Sequence, residues 1–197
     1  MTGRWPVRLV HGDLILRPLR LRDVPAWRRL RAENDTWLRP WEATLPVPTA
    51  AAPLGLMGMV SALRAEARAG RSYPFLLTVD AAVIGQITLG GITQGSLCSG
   101  QVGYWLARSH AGRGLMPRAV ALVCDWAFTI GLHRVEVNIR PENRASIRVV
   151  DKLRLRYEGR RERYMHIDGR WCDHLSYAIT AEEVPQGLLR RYLDTPQ

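Results

Sequence analysis

Residues 102–117 read VGYWLARSHAGRGLMP, and this stretch decides the fold. Val102, Tyr104 and Leu106 alternate with Gly103 and Trp105, the period of two expected of a strand. A Gly112-Arg113-Gly114 turn then leads directly into a long amphipathic helix, with Leu115, Ala119, Leu122, Val123, Trp126, Ala127 and Ile130 on one stripe and Gly131 at its C-terminal end. Gly112 and Gly114 can take backbone angles denied to other residues and leave room for close approach. The helix behind them opens with unpaired N–H groups and the positive end of its dipole, and Pro117 is tolerated there because its missing N–H is not needed. Together these features make a site for an anion, most naturally a phosphate or pyrophosphate. A bare Gly-x-Gly is also the pattern of an ordinary tight connection; the strand before it and the periodic helix after it favour the anion site. No Gly-Lys-Ser/Thr follows the glycines, which argues against a nucleoside-triphosphate site.

Working outward, Arg134–Ile139 reads as the strand that completes a β-α-β unit, with Val135, Val137 and Ile139 on one face and Glu136 and Asn138 on the other. A short helix follows over Asn143–Leu153, then two strands at about 156–166 and 172–179 around an Asp168-Gly169 turn, then a last helix at about 181–193. Upstream, Leu14–Arg17 predicts a strand, Leu21–Glu33 a helix, Leu54–Ala69 a second helix, and Phe75–Val79 with Val83–Leu89 a hairpin. Gly90–Gly100 reads as a flexible connection. Residues 34–53, with Pro40, Pro46, Pro48, Pro53, Trp37 and Trp41, are the least regular part, and a loop of that length is often functional. The two tryptophans fit either the wall of an acceptor cleft or plain core anchors. This order predicts a mixed α/β (α+β) domain with about 6–7 strands in a mostly antiparallel sheet flanked by helices. It does not fit a doubly wound nucleotide fold, which needs regular alternation.

The 197 residues suit one domain spanning 1–197, with a core at about 14–180 and the final helix at 181–193. No apolar run approaches the roughly 20 residues of a membrane span, and the N-terminus lacks a secretory signal's apolar region, so the expected location is the cytoplasm. Cys98, Cys124 and Cys172 have neither zinc spacing nor a disulfide framework, and the histidines form no ligand pair at helical spacing; no metal is expected. The net charge of +10 rests almost wholly on arginine, since Lys152 is the only lysine. Such a surface favours phosphate-rich partners, or reflects genome base composition; it leaves direct nucleic-acid binding open. Arg160, Arg161 and Arg163 could steer an acidic peptide or form a solvated charge run.

The 111–116 segment, Ala-Gly-Arg-Gly-Leu-Met, resembles the acetyl-CoA motif of the GCN5-related N-acetyltransferases, Gln/Arg-x-x-Gly-x-Gly/Ala, with Ala111 and Met116 as departures. Met116 is similar to the form found in the subgroup that acetylates the N-termini of ribosomal proteins. Asn143, Ser146, Val149, Lys152 and Leu155 resemble that subgroup's N-x-x-S-x-x-V-x-x-K-x-G-F pattern, with Arg154-Leu155 in place of Gly-Phe. Glu158-Gly159 and Asp168-Gly169-x-Trp171-x-Asp173 resemble its terminal hairpin. The resemblance implies a sheet whose fourth and fifth strands, here 102–106 and 134–139, splay apart, with the cofactor's pantetheine arm lying in the gap along Trp105, Leu106 and Ala107. It implies acetyl-CoA as cosubstrate, held by the turn and helix start at Gly112, Arg113, Gly114, Leu115 and Met116 and by Asn143. Ser146 is implied as the group that protonates the leaving sulfur, although a hydroxyl there also suits a helix start. Asn143 is equally a natural N-cap. For the base, Glu162 on the penultimate strand is the first candidate, Glu136 and Asp173 the others, and a water chain an alternative. The implied acceptor is a protein N-terminus, ribosome-associated or not, the enzyme acting as a monomer or homodimer. A small amine such as an antibiotic, polyamine or amino acid is the second enzyme reading, and a non-catalytic acyl-CoA or RNA binder the third.

Overall fold

The structure, a computed structural model, describes residues 5–47 and 55–194. Pro48, Pro53 and the expected helix start at Leu54 lie outside the described residues. Among the described residues eight strands form one sheet in the order β1-β2-β3-β4-β5-β6-β8-β7: β1 Leu9–His11, β2 Leu14–Pro18, β3 Tyr73–Val79, β4 Ala82–Thr93, β5 Ser99–Leu106, β6 Arg134–Ile139, β7 Arg156–Ile167 and β8 Arg170–Thr180. The helices are α1 Val24–Glu33, α2 Asp35–Leu38, α3 Leu56–Arg68, α4 Leu115–Thr129, α5 Arg144–Lys152 and α6 Leu188–Leu193. Every neighbouring pair of strands is antiparallel except β5 and β6.

The mixed α/β architecture is the expected one, with one more strand than the upper bound. The addition is β1, whose three residues are too few to show an alternation; Leu9 pairs with Leu16. The stretch 90–100 is not a loop throughout. β4 runs on to Thr93 and β5 begins at Ser99, with a register shift between Gly90 and Thr93. Its glycines partly serve packing: a Cβ on Gly100 would sit 2.9 Å from Leu89 Cδ1 and 3.2 Å from Leu132 Cδ1. The helix expected over 21–33 opens as a 3-10 turn, Leu21–Asp23, before α1. The last helix is interrupted too. A 3-10 turn, Ala181–Glu183, is separated from α6 by a segment holding Pro185 and Gly187, the latter at φ +96°.

Helix α4 forms the centre of the core: Ala119, Val123 and Ala127 of the expected stripe are fully buried together with Val120 and Cys124, while Leu122 and Ile130 are half-buried. Trp126 meets Tyr73 and Phe75 edge-on, at centroid distances of 4.8 and 5.4 Å. Burial pushes the Cys124 thiol up, so it is a packing residue and not a nucleophile. The polar member of α4, Asp125, holds α6 in place: its carboxylate accepts the backbone N–H groups of Leu188 (2.5 Å) and Leu189 (3.1 Å). These are donors that a helix start leaves unsatisfied. Asp125→Ala is therefore expected to cost about 1–2 kcal/mol, the usual range for a lost cap, with amide exchange rising selectively over 188–193. Uniform exchange across the chain would show that Asp125 does not act as that cap.

The site is positioned by how β5 and β6 part. They pair only where Ser99, Gly100 and Gln101 meet Arg134, Val135 and Glu136. Beyond Gln101, β5 stays with β4 through to the Leu106–Gly85 pair, while β6 stays with β8 through to Ile139–Leu175. The expected splay is thus present, and the start of α5 packs beside it: Tyr104 Oη on β5 donates to the Ser146 carbonyl at 3.5 Å.

Candidate active site

Three adjoining cavities of about 250, 320 and 160 Å³ run through the splay to the start of α4. Trp41, Tyr104, Asn143 and Ser146 line both of the first two. Leu106, Gly112, Met116 and Val149 line both the second and the third. They make one groove with a phosphate-like end, a waist and an inner chamber.

At the phosphate-like end, Gly112 and Gly114 have φ of +77° and +70°, so the turn requires glycine at both positions. A Cβ on Gly114 would also lie 3.4 Å from the Tyr192 hydroxyl. Leu115 and Met116 are buried, and what they can offer an anion is backbone N–H at the head of α4. His110, Arg148 and Lys152 line the same end. Arg113 belongs to the turn but lines none of the three cavities.

At the waist, Trp105 and Leu106 line the groove, while Ala107 is fully buried and gives its N–H to Ile84 O at 2.9 Å. The Leu106 carbonyl accepts the Trp37 indole N–H at 3.1 Å. Trp37 therefore anchors to the β5 edge and walls the waist and the phosphate-like end, and it does not line the inner chamber. Trp41 lines the inner chamber as well, with the Arg140 guanidinium 5.5 Å over its ring. Asn143 caps α5, its Oδ1 accepting the Ser146 N–H at 3.1 Å, and faces the groove too. The Ser146 hydroxyl lies at the junction of waist and chamber, within side-chain hydrogen-bonding reach of the Tyr104 phenol.

The acids singled out from the sequence do not come together here. Glu162 is exposed in the β7 bulge between Arg161 and Met165 and lines none of the cavities. Glu136 is held by Arg134 at 3.1 Å and Arg161 at 2.9 Å. Asp173 accepts from Arg160 Nε at 2.9 Å and from the Arg163 backbone N–H at 2.7 Å, and these partners hold its carboxyl below the usual range. Arg160 and Arg161 are thereby engaged in ion pairs.

The chamber is lined instead by residues the motifs did not mark, among them Gln101, Asn138 and His174. Asn138 accepts the Ser176 hydroxyl at 2.7 Å and donates to Gln101 Oε1 at 3.4 Å. Cys172, His174 and Ser176 alternate along β8 with Leu175 and Tyr177, a period-two signal that places His174 on one face with Ser176. Among the described residues no group of three His, Cys, Asp or Glu is placed to hold a metal. No helix among them is long and apolar enough to cross a membrane.

A mixed sheet opened between two parallel strands, with a double-glycine turn at the head of the helix beside the opening, is the architecture of an acyl-transfer enzyme. The acetyltransferase (GNAT) domain family matches residues 13–156, and the chain belongs to that family. The chain is similar to ribosomal protein uS5-alanine N-acetyltransferase of Escherichia coli, 29% identical over 191 residues, with 94% of this chain and 92% of that protein covered. It is 40% identical to the probable N-acetyltransferase YjcK of Bacillus subtilis over 101 residues, a match that spans only 51% of this chain and 56% of that relative. Among solved structures, Mycobacterium smegmatis RimJ in complex with CoA-disulfide superposes with a TM-score of 0.88 at 39% identity, covering 98% of this chain and 96% of that one.

Proposed function

We propose that this acetyltransferase moves the acetyl group of acetyl-CoA to the α-amine of a protein N-terminus, with a ribosomal protein as the acceptor class. The observation that carries the reading is the continuity of the groove. One channel runs from the Gly112–Gly114 turn, past the β5 edge, to a chamber inside the splay with Ser146 at the junction. Similarity across nearly the whole chain to a uS5-alanine acetyltransferase and to a CoA-bound RimJ supports the same assignment.

The residues present fit the cosubstrate. Two positive-φ glycines leave a backbone cradle at a helix start, with Arg148 and Lys152 adding positive charge for the phosphates. Leu106, Trp37 and Val149 give the waist apolar walls for the pantetheine arm. Asn143 offers an amide at the junction, and Ser146 a hydroxyl for the departing sulfur. Acetyl-CoA supplies an activated acyl carbon. The protein's work is to align the amine, exclude water and move protons. An α-amine suits such a site, because its pKa of about 8 leaves part of it neutral at pH 7, whereas a lysine side chain near 10.4 is almost wholly charged.

The test is mass spectrometry of N-terminal peptides incubated with the protein and acetyl-CoA, beside lysine-only peptides and small amines. Acetylation of particular α-amines is the expected result. Products from small amines alone would move the assignment to a metabolite or drug acetyltransferase.

A further inference from the structure

We propose that His174 is the general base of this site, its Nε2 taking a proton from the acceptor's ammonium group in the inner chamber. The inference rests on the acetyl-transfer reading above and adds the residue that accepts the proton. Three observations lead to it.

First, His174 lines the chamber from β8 and is otherwise buried, only 3% exposed. Second, its Nδ1 lies 3.1 Å from the Cys172 carbonyl, an atom that can only accept. Nδ1 must therefore carry the hydrogen, which fixes the tautomer and leaves Nε2 as a lone-pair acceptor. Nε2 has no hydrogen-bond partner among the described residues. The Tyr164 ring on β7 meets the imidazole edge-on at 5.7 Å and helps hold its plane. Third, the nearby carboxylates are taken or turned away. Glu136 and Asp173 are bound by arginines, Glu142 pairs with Arg140 at 3.1 Å, and Glu162 stands exposed outside the chamber.

The charged groups around the ring are Arg140 and Glu142 after β6 and Asp173 on its own strand. Burial, with a smaller push from Arg140, holds His174 below the ordinary imidazole range against the opposing pull of the Cys172 carbonyl and the two acids. The ring is thus neutral at pH 7 and able to accept a proton.

The step balances as follows. The ammonium gives one proton to Nε2, and the freed nitrogen pair forms the C–N bond to the acetyl carbon. The C–S bond breaks with its electron pair on sulfur, which takes the Ser146 hydroxyl proton. Ser146 regains a proton from the newly acylated nitrogen, and the imidazolium releases its proton to water.

The experiment compares wild type and His174→Gln on the acceptor peptide that wild type uses best, following kcat from pH 6 to pH 10 with acetyl-CoA affinity measured alongside. In the variant, kcat is expected to fall about 100-fold at pH 7, within the usual contribution of a general base. Acetyl-CoA affinity should stay within about twofold, and the deficit should shrink as pH passes the amine's own pKa near 8. A purely structural role would give a deficit that does not depend on pH, and that result, or an unchanged kcat, overturns the proposal. A second measurement needs only wild type. Peptides whose α-amines differ in pKa should share one acidic limb in kcat; a limb that moves with the amine rules His174 out. Wild type inactive on every amine would instead remove the acetyl-transfer reading itself, and this assignment with it.

Discussion

Gly85→Ala is expected to lower the melting temperature by about 5–10 °C and to weaken acetyl-CoA binding several-fold. Gly85 lies in β4, opposite Leu106 on β5. A Cβ at that position would come within 2.4 Å of the Trp105 carbonyl oxygen and 3.1 Å of the Leu106 Cα. Both are main-chain atoms, so no rotamer change relieves the overlap, and the strands must move apart. Overpacking of a well-filled interior costs about 1–3 kcal/mol, and a backbone clash falls at the upper end. In a chain of this size each kcal/mol shifts the melting temperature by about 2–4 °C. The affected backbone is the Trp105–Leu106 edge that walls the waist of the groove, so stability and cofactor affinity should fall together. Thermal melts and an acetyl-CoA titration of the purified variant measure both. An unaltered melting temperature would mean that β4 and β5 separate without cost, contrary to the close fit described.

What could be read from the sequence, and what could not, divides along physical lines. The 102–131 segment is legible because a period of two gives way to a period of 3.6 across a glycine turn, and both periods are long enough to register. Asn143 and Ser146 are legible because a helix start concentrates its signals within four residues, and the structure has Asn143 as the cap. β1 shows no signal over three residues. Gly90 and Gly100 look like breakers in a linear reading, but they lie in the paired part of the sheet, Gly90 opposite Gln101. The pairing of the acids is hidden for a different reason. A carboxylate on a strand reads as free until the sheet brings in its arginine, as it brings Arg161 to Glu136 across 25 positions. His174 stays hidden because its significance depends on the splay and on the pairing of β8 between β6 and β7, none of which is local.

Ser146→Ala is expected to lower kcat about 100-fold while leaving acetyl-CoA affinity within about twofold and the melting temperature nearly unchanged. The separation follows from how Ser146 is held. Its N–H donates to Asn143 Oδ1 and its carbonyl accepts the Tyr104 hydroxyl, and these two main-chain contacts survive in alanine. Alanine is also the better helix former at the head of α5. Only the hydroxyl is removed, with its side-chain contact to the Tyr104 phenol, which keeps the Ser146 carbonyl as its acceptor. A fall in kcat then reports what the hydroxyl does for the reacting atoms. Tyr104, the other hydroxyl at the junction, is a poor substitute: burial pushes its phenol up and its proton is directed at the Ser146 carbonyl. If Ser146 protonates the departing sulfur, the need for it should weaken as the leaving thiol becomes more acidic, because a better leaving group requires less protonation in the transition state. Kinetics with an aryl thioester donor beside acetyl-CoA provide that comparison. The variant's deficit should shrink with the aryl donor; a deficit of equal size for both donors would assign Ser146 to positioning of the acyl group, and unchanged turnover with acetyl-CoA would remove it from the mechanism.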